Sequence, residues 1–332
     1  MSGAPAEGDT ADKVVREATA PSDGPLLKVR GLSAKFRTRH GLVAALSDVD
    51  LDLGPGECRV VIGESGSGKS VLVHCLLGLL PANVELHGSV QVEGKEVLGA
   101  SDRTMALIRS QVTAFIPQSP STALNPVRRV GPLLSELLGS RGLDGTESRR
   151  RLLEGASSLG LNLQERWRSY PHQLSGGMQQ RAVTALALAS RPRLVLADEP
   201  TSGLDASRVE DTARQLRALT EEGAGLLVVT HDLGLARRLE GRIALLYGGR
   251  VVEDRPTKAF FESAAHPYGV GLLAALPERG AEPIPGMPPS LTALPDGCCF
   301  APRCEHRMPA CAERVPDLAP LPDGASRCLL HA

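Results

Sequence analysis

The chain has 332 residues, 42% of them hydrophobic, with 37 Lys and Arg against 38 Asp and Glu for a formal net charge of -1. That length can bury a substantial core in two or three lobes, and the near-neutral balance gives no basic face for nucleic acid. No apolar run reaches the roughly 18 residues of a membrane span; the longest, Val71–Ala82, is short and contains His74.

The first 25 residues are rich in Ala, Gly, Asp, Pro and Thr and lack the apolar core of a secretory signal, so they read as a disordered tail. Leu26–Phe36 and Leu42–Leu53 read as antiparallel strands around the turn RTRHG. Cys58–Gly63 (CRVVIG) is a short β-branched strand, followed by GESGSGKS (Gly63–Ser70) and then an apolar helix, Ser70–Leu80. The eight-residue pattern G-x-x-x-x-G-K-[ST], set between a strand and a helix, is a phosphate-binding loop. Backbone N–H groups from Gly63, Glu64, Ser65, Gly66, Ser67 and Gly68 would converge on a β-phosphate. Lys69 would bridge the β- and γ-phosphates, and Ser70 would offer its hydroxyl to Mg²⁺.

His87–Val97 reads as another strand pair, and residues 102–181 as mostly helical, with amphipathic segments Gly131–Ser140 and Arg149–Leu161 and a strand, Val112–Ile116. Leu174–Gln180 (LSGGMQQ) is a Ser-Gly-Gly turn opening a helix; its free first-turn N–H groups make a second anion-binding end. Strands and helices then alternate: Arg193–Asp198, a helix over Ala206–Glu222, Gly225–Thr230, a short helix Leu233–Leu239, and strands Arg242–Tyr247 and Gly249–Asp254. Such alternation predicts an α/β fold with a mostly parallel sheet and helices on both faces.

The phosphate-binding loop, LSGGMQQ and the acidic strand end LVLADEP, in that order, resemble the ATPase subunit of an ATP-binding-cassette (ABC) transporter from Leu26 onward. The resemblance implies an ABC-type P-loop NTPase fold: a RecA-like, mostly parallel core sheet, an antiparallel β subdomain, a helical subdomain over about 102–181, and an ATPase domain spanning 26–265. It also assigns roles. Asp198 would hold Mg²⁺ and Glu199 would act as base on the attacking water; Gln118 would touch the metal or water; Ser202–Asp205 matches the D-loop; His231 is the switch histidine at the γ-phosphate. Phe36, 33 residues before Lys69, would stack on adenine. Ser175, Gly176 and Gly177 would complete the site of a second cassette, a copy of this chain or a paralogue, with ATP between the two.

Three segments resemble the oligopeptide/dipeptide importer branch: Pro117–Gly131, His266–Pro277 (HPYGVGLLAALP) and Pro283–Cys304. Import of oligopeptides or dipeptides follows, with nickel, glutathione or another small solute as the alternative cargo. The implied partners are two membrane permease subunits and an extracytoplasmic solute-binding protein, with this subunit peripheral on the cytoplasmic face of the inner membrane. Rival classes are a soluble ABC ATPase acting on DNA or ribosomes, and a metal-binding regulator gated by ATP. One cassette with a short helical insert argues against the first, and the complete Gln118, Glu199 and His231 set against the second.

Residues 266–332 form a Cys-rich C-terminal extension. Cys58 and Cys75 flank the phosphate loop and read as packing residues, whereas five of the seven cysteines fall in the last 35 residues. Cys298, Cys304, Cys311 and Cys328 suit tetrahedral Zn²⁺ or an iron–sulfur cluster equally in a reducing cytosol. Resemblance to the importer ATPases favours a [4Fe–4S] cluster with Cys299 as the spare; His306 and His331 are candidate ligands under the zinc alternative.

Overall fold

The computed structural model describes residues 24–39, 41–202 and 206–331. Nearly all of the amino-terminal stretch, and Asp205 of the D-loop, lie outside the described residues.

Two sheets organise the chain. The smaller is antiparallel, with order β2-β1-β4-β5 for β1 (Leu27–Thr38), β2 (Gly41–Leu53), β4 (Val84–Val92) and β5 (Lys95–Glu96). The larger has order β11-β12-β10-β9-β3-β8-β7-β6. It comprises β3 (Cys58–Ile62), β6 (Thr113–Ile116), β7 (Leu194–Asp198), β8 (Gly225–Thr230), β9 (Arg242–Tyr247), β10 (Arg250–Pro256), β11 (Ala319–Leu321) and β12 (Gly324–Ser326). Strands β9, β3, β8, β7 and β6 run parallel, and β10, β12 and β11 are added antiparallel at one edge. The sequence predicts the parallel part; the antiparallel edge includes strands from the Cys-rich extension, too short and polar to show a strand pattern.

The parallel strands are continuous apolar runs because both faces are covered. Alternate residues serve two cores. Val61, Leu196, Leu227, Val229, Ala244 and Leu246 face a core shared with β1, β2, β4 and helix α1 (Lys69–Leu77). Val60, Ile62, Val195, Ala197, Val228 and Leu245 face the opposite core, built with α6 (Ala206–Glu221), α7 (Leu233–Leu239) and the aromatic rings of the C-terminal region. A third core lies between Leu124 and Ala189, on α3 (Val130–Gly139), α4 (Gly145–Ser158) and α5 (Gly176–Ala189).

The helix after the phosphate-binding loop ends earlier than its apolar run predicts, because the Gly78 N–H turns back to the Cys75 and His74 carbonyls. Helix α2 (Asp102–Leu107) passes into a π-helical turn, Ile108–Val112, that delivers the chain to β6. The amphipathic segment predicted over 149–161 is α4, which starts earlier because Asp144 caps it, accepting from Thr146 and Glu147 N–H. Beyond β10 come α8 (Thr257–Glu262) and α9 (Pro267–Ala274). No helix among the described residues is long and apolar enough to cross a membrane.

Candidate functional site

The site is built at the carboxyl ends of β3, β7 and β8, where a parallel sheet leaves a crevice. The loop from β3 to α1 depends on two close approaches. A Cβ on Gly63 would lie 2.3 Å from the Leu246 carbonyl oxygen, and one on Gly68, whose φ is +106°, 2.4 Å from the Ala45 carbonyl oxygen. Glycine is therefore required to seat the loop between the two sheets. Ser67 is buried with an unpartnered Oγ, while Ser65 and Gly66 are exposed. This is a cradle into which phosphate oxygens fit.

Lys69 is 6% exposed; its Nζ donates to the carbonyls of Gly63 (2.7 Å) and Glu64 (3.1 Å). Burial lowers its pKa below the ordinary lysine value, and Glu199, Asp198 and Glu64 pull it back up. Ser70 Oγ donates to Asp198 Oδ1 at 3.2 Å. Burial raises the Asp198 pKa, the Ser70 hydroxyl opposes this, and neighbouring Glu199 adds to the rise. A cation there would relieve two crowded carboxylates, so Ser70 and Asp198 fit Mg²⁺.

Glu199 is 7% exposed and sits at φ +46°, a conformation uncommon for a side chain-bearing residue. It is held firmly: its N–H donates to the Val229 carbonyl, and Oε2 accepts from Thr230 Oγ1 (3.0 Å) and the His231 N–H (3.2 Å). His231 Nδ1 lies 2.9 Å from the same Oε2, and Lys69 Nζ lies 3.9 Å from Oε1. The loop bearing His231 is itself braced, since Asp232 Oδ1 caps α7 and Oδ2 accepts from Thr201.

Lys69, Glu199 and His231 thus form one ion-paired group, and the hydrogen-bonded pair Ser70–Asp198 lies beside it through the chain neighbours Lys69–Ser70 and Asp198–Glu199. Gln118 is exposed, two residues beyond the last paired position of β6, and among the described residues no hydrogen bond joins it to this group. Phe36 is half-buried and paired with Val43, two residues from the Ala45 carbonyl that abuts Gly68. Ser175 caps α5 by accepting from the Met178 N–H, and Ser175 and Gly176 are exposed with Gly177 half-buried. Among the described residues no hydrogen bond or ion pair joins this turn to the phosphate-binding loop.

Cys298, Cys304, Cys311 and Cys328 line one cavity together with His266, His306 and Met308. Cys299 does not; it is buried in the core beside Gly248. Among the described residues no three His, Cys, Asp or Glu side chains converge as closely as a single metal ion requires. His331 Nε2 is instead within 2.8 Å of the Ala265 carbonyl. Cys58 and Cys75 have thiol pKa values pushed up to about 12 by burial, as packing residues do.

Sequence reasoning missed Thr230, and also Arg303 and Tyr268, which reach the phosphate-binding loop from the C-terminal region. A charged residue in the apolar turn Phe300–Cys304 was the available signal, because a buried guanidinium needs a partner.

The glycine-seated loop, the buried lysine and the paired carboxylates on a two-sheet core define a P-loop nucleoside triphosphatase of the ATP-binding-cassette kind. The ABC transporter family model matches residues 46–202, and the model of the oligopeptide/dipeptide transporter C-terminal region matches 252–311. A putative peptide import ATP-binding protein of Brucella ovis is 38% identical over 329 residues, covering 92% of this chain and 97% of the relative. The oligopeptide transport ATP-binding protein OppD of Salmonella typhimurium is 38% identical over 301 residues, covering 88% and 89%. Among solved structures, the ATP-binding cassette MJ0796, a dimer in a post-hydrolysis state bound to ADP and Pi, superposes with a TM-score of 0.63 at 30% identity, covering 70% of this chain and 98% of that one. The chain belongs to the ATP-binding subunits of ABC transporters, in the oligopeptide/dipeptide branch.

Proposed function

We propose that the chain hydrolyses MgATP at a two-cassette interface to drive import of oligopeptides or dipeptides. The observation that carries the reading is the convergence of Lys69, Ser70, Asp198, Glu199 and His231 at the strand ends. Lys69 and the loop N–H groups hold the phosphates, and Ser70 and Asp198 hold Mg²⁺, which neutralises charge on the β- and γ-phosphates when bound. Glu199 takes the proton from the attacking water; its carboxylate is aimed by Thr230 and the His231 N–H. His231 contacts the γ-phosphate, Gln118 orients the water or metal, and Phe36 stacks on the adenine. Asp205, outside the described residues, belongs to the D-loop of the same interface. Ser175, Gly176 and Gly177 complete the site of the second cassette. Its similarity to a dimeric cassette that binds ADP and Pi supports that pairing.

The peptide cargo is supported by relatives named for peptide import and oligopeptide transport along nearly the whole chain. With no membrane-crossing helix among the described residues, the subunit reaches the cytoplasmic face of the inner membrane through two permease partners fed by an extracytoplasmic binding protein. In the source organism made auxotrophic for one amino acid, loss of this subunit should abolish growth on a peptide containing that amino acid and spare growth on the free amino acid. Unimpaired growth on peptides would overturn the cargo assignment.

We infer that Cys298, Cys304, Cys311 and Cys328, which line one cavity, hold a [4Fe–4S] cluster. Four thiols lining one cavity are a donor set for either group, and the reading of a cluster follows the relatedness to the importer ATPases, with Zn²⁺ as the alternative. Such a cluster would join the segments that bear Cys298, Cys304, Cys311 and Cys328. Protein purified without oxygen should carry about four irons and four sulfides per chain, lost in Cys304→Ser; stoichiometric zinc, or no metal, would overturn the cluster.

A further inference from the structure

We propose that Arg303 and Tyr268 are positioning residues of the phosphate-binding loop, through which the C-terminal region sets the affinity for ATP. The proposal rests on the ATP-binding reading of that loop and is independent of what the cysteines hold.

Glu64, the second residue of the loop, is gripped twice. Arg303 donates to both of its carboxylate oxygens, Nη1 to Oε2 at 2.8 Å and Nη2 to Oε1 at 3.1 Å. The Tyr268 hydroxyl accepts from the Glu64 backbone N–H at 2.8 Å. These partners are far along the chain, 239 and 204 residues away. Both are built as rigid supports. The Arg303 side chain is 6% exposed, and its remaining donors go to the Pro285 carbonyl (2.9 Å), the Tyr247 hydroxyl (3.2 Å) and the Ile284 carbonyl (3.4 Å). Tyr268 is fully buried in a ring cluster with Tyr247 and Phe300, at centroid distances of 4.5 and 5.5 Å. A planar fork with every donor engaged fixes its carboxylate partner in orientation as well as in distance.

The position of Glu64 matters because its carbonyl is a hub. It accepts from Lys69 Nζ and from the Ser67 N–H (3.2 Å), so moving Glu64 moves the ammonium and the turn that face the phosphates. The next two residues, Ser65 and Gly66, are exposed and have little packing of their own. A loop that must be ordered by its ligand gives up binding free energy to do so, and one already held does not. The grip comes from the cysteine-bearing segment itself. Arg303 closes a 3₁₀ turn whose Ala301 N–H donates to the Cys298 carbonyl and whose carbonyl at Ala301 accepts from the Cys304 N–H. Whatever fixes Cys298 and Cys304 therefore fixes Arg303.

The test is MgATP affinity and steady-state kinetics on the full chain for Arg303→Ala, Arg303→Lys, Tyr268→Phe, Glu64→Gln and the Glu64→Gln/Arg303→Ala pair, with Lys69→Ala as reference. Glu64→Gln gives the decisive sign. Removing a negative charge beside a triphosphate should tighten binding if Glu64 acts only through its charge. If it is a positioning handle, binding weakens by about 5- to 20-fold, with KM rising and kcat kept within about two-fold. Arg303→Ala should weaken binding similarly, Arg303→Lys less, and the double variant no more than either single one. Wild-type affinity in Arg303→Ala, or tighter binding in Glu64→Gln, would overturn the proposal, provided Lys69→Ala binds weakly; normal binding by Lys69→Ala would instead overturn the reading of the loop. Should Arg303→Ala fail to fold, Glu64→Gln and Tyr268→Phe decide the matter from single-atom or single-group changes.

Discussion

Protein carrying Glu199→Gln binds MgATP as the parent does and hydrolyses it at about one-hundredth of the parental rate or less, the span expected for loss of a positioned base. The amide is nearly isosteric, and its carbonyl oxygen can still accept from Thr230 Oγ1 and the His231 N–H, so the loop keeps its shape. What is lost is the capacity to take a proton. The carboxylate is almost fully buried, close to His231, and within 3.9 Å of the lysine ammonium. Single-turnover hydrolysis and equilibrium binding, measured on the same preparation, separate the two effects. The variant should also elute as an ATP-dependent dimer on gel filtration, because uncleaved ATP keeps bridging the two cassettes. Turnover within about three-fold of the parent would place the base elsewhere.

Lys69→Ala has the opposite signature: binding itself fails. The Nζ group bridges two loop carbonyls and balances Asp198 and Glu199, so its loss removes a phosphate ligand and the positive charge beside two carboxylates. Hydrogen bonds to charged groups contribute about 1.5–3 kcal/mol, so affinity for MgATP should fall by roughly 10- to 100-fold. Isothermal titration of the two proteins measures this directly. An unchanged dissociation constant would mean that the ammonium does not meet the phosphates.

The parts of this molecule that could be read from the sequence are those whose signal is local. GLLVVT coincides with β8 and RIALLY with β9, because strands buried on both faces need uninterrupted apolar residues. Gly63, Gly68, Lys69 and Ser70 announce themselves through a spacing that one turn of backbone dictates. The carboxylate pair was legible for the same reason, lying at the end of an apolar strand. What could not be read depends on distant pairing. Nothing near Glu64 signals Arg303, and nothing in residues 319–326 signals that they join the central sheet. The π-helical turn at Ile108–Val112 likewise left no trace in a five-residue window of the sequence. The cysteines fall in between: their clustering was visible in the spacing, but the separation of Cys298 from Cys299 rests on which neighbour faces the core.

Strand β10 has one further neighbour besides β9, and that neighbour is β12, whose Ser326 and Ala325 pair with Glu253 and Asp254. Were the chain to stop after α8, β10 would present a row of unpaired N–H and C=O groups to water, next to the buried apolar residues Val251 and Val252. Such an open margin is a template for another molecule's strand, and proteins seldom tolerate one. The last residues therefore act as a selvedge: they finish the fabric of the sheet so that it does not catch on its neighbours. A minimal cassette trimmed to the ATPase domain alone would keep its catalytic groups and become prone to self-association.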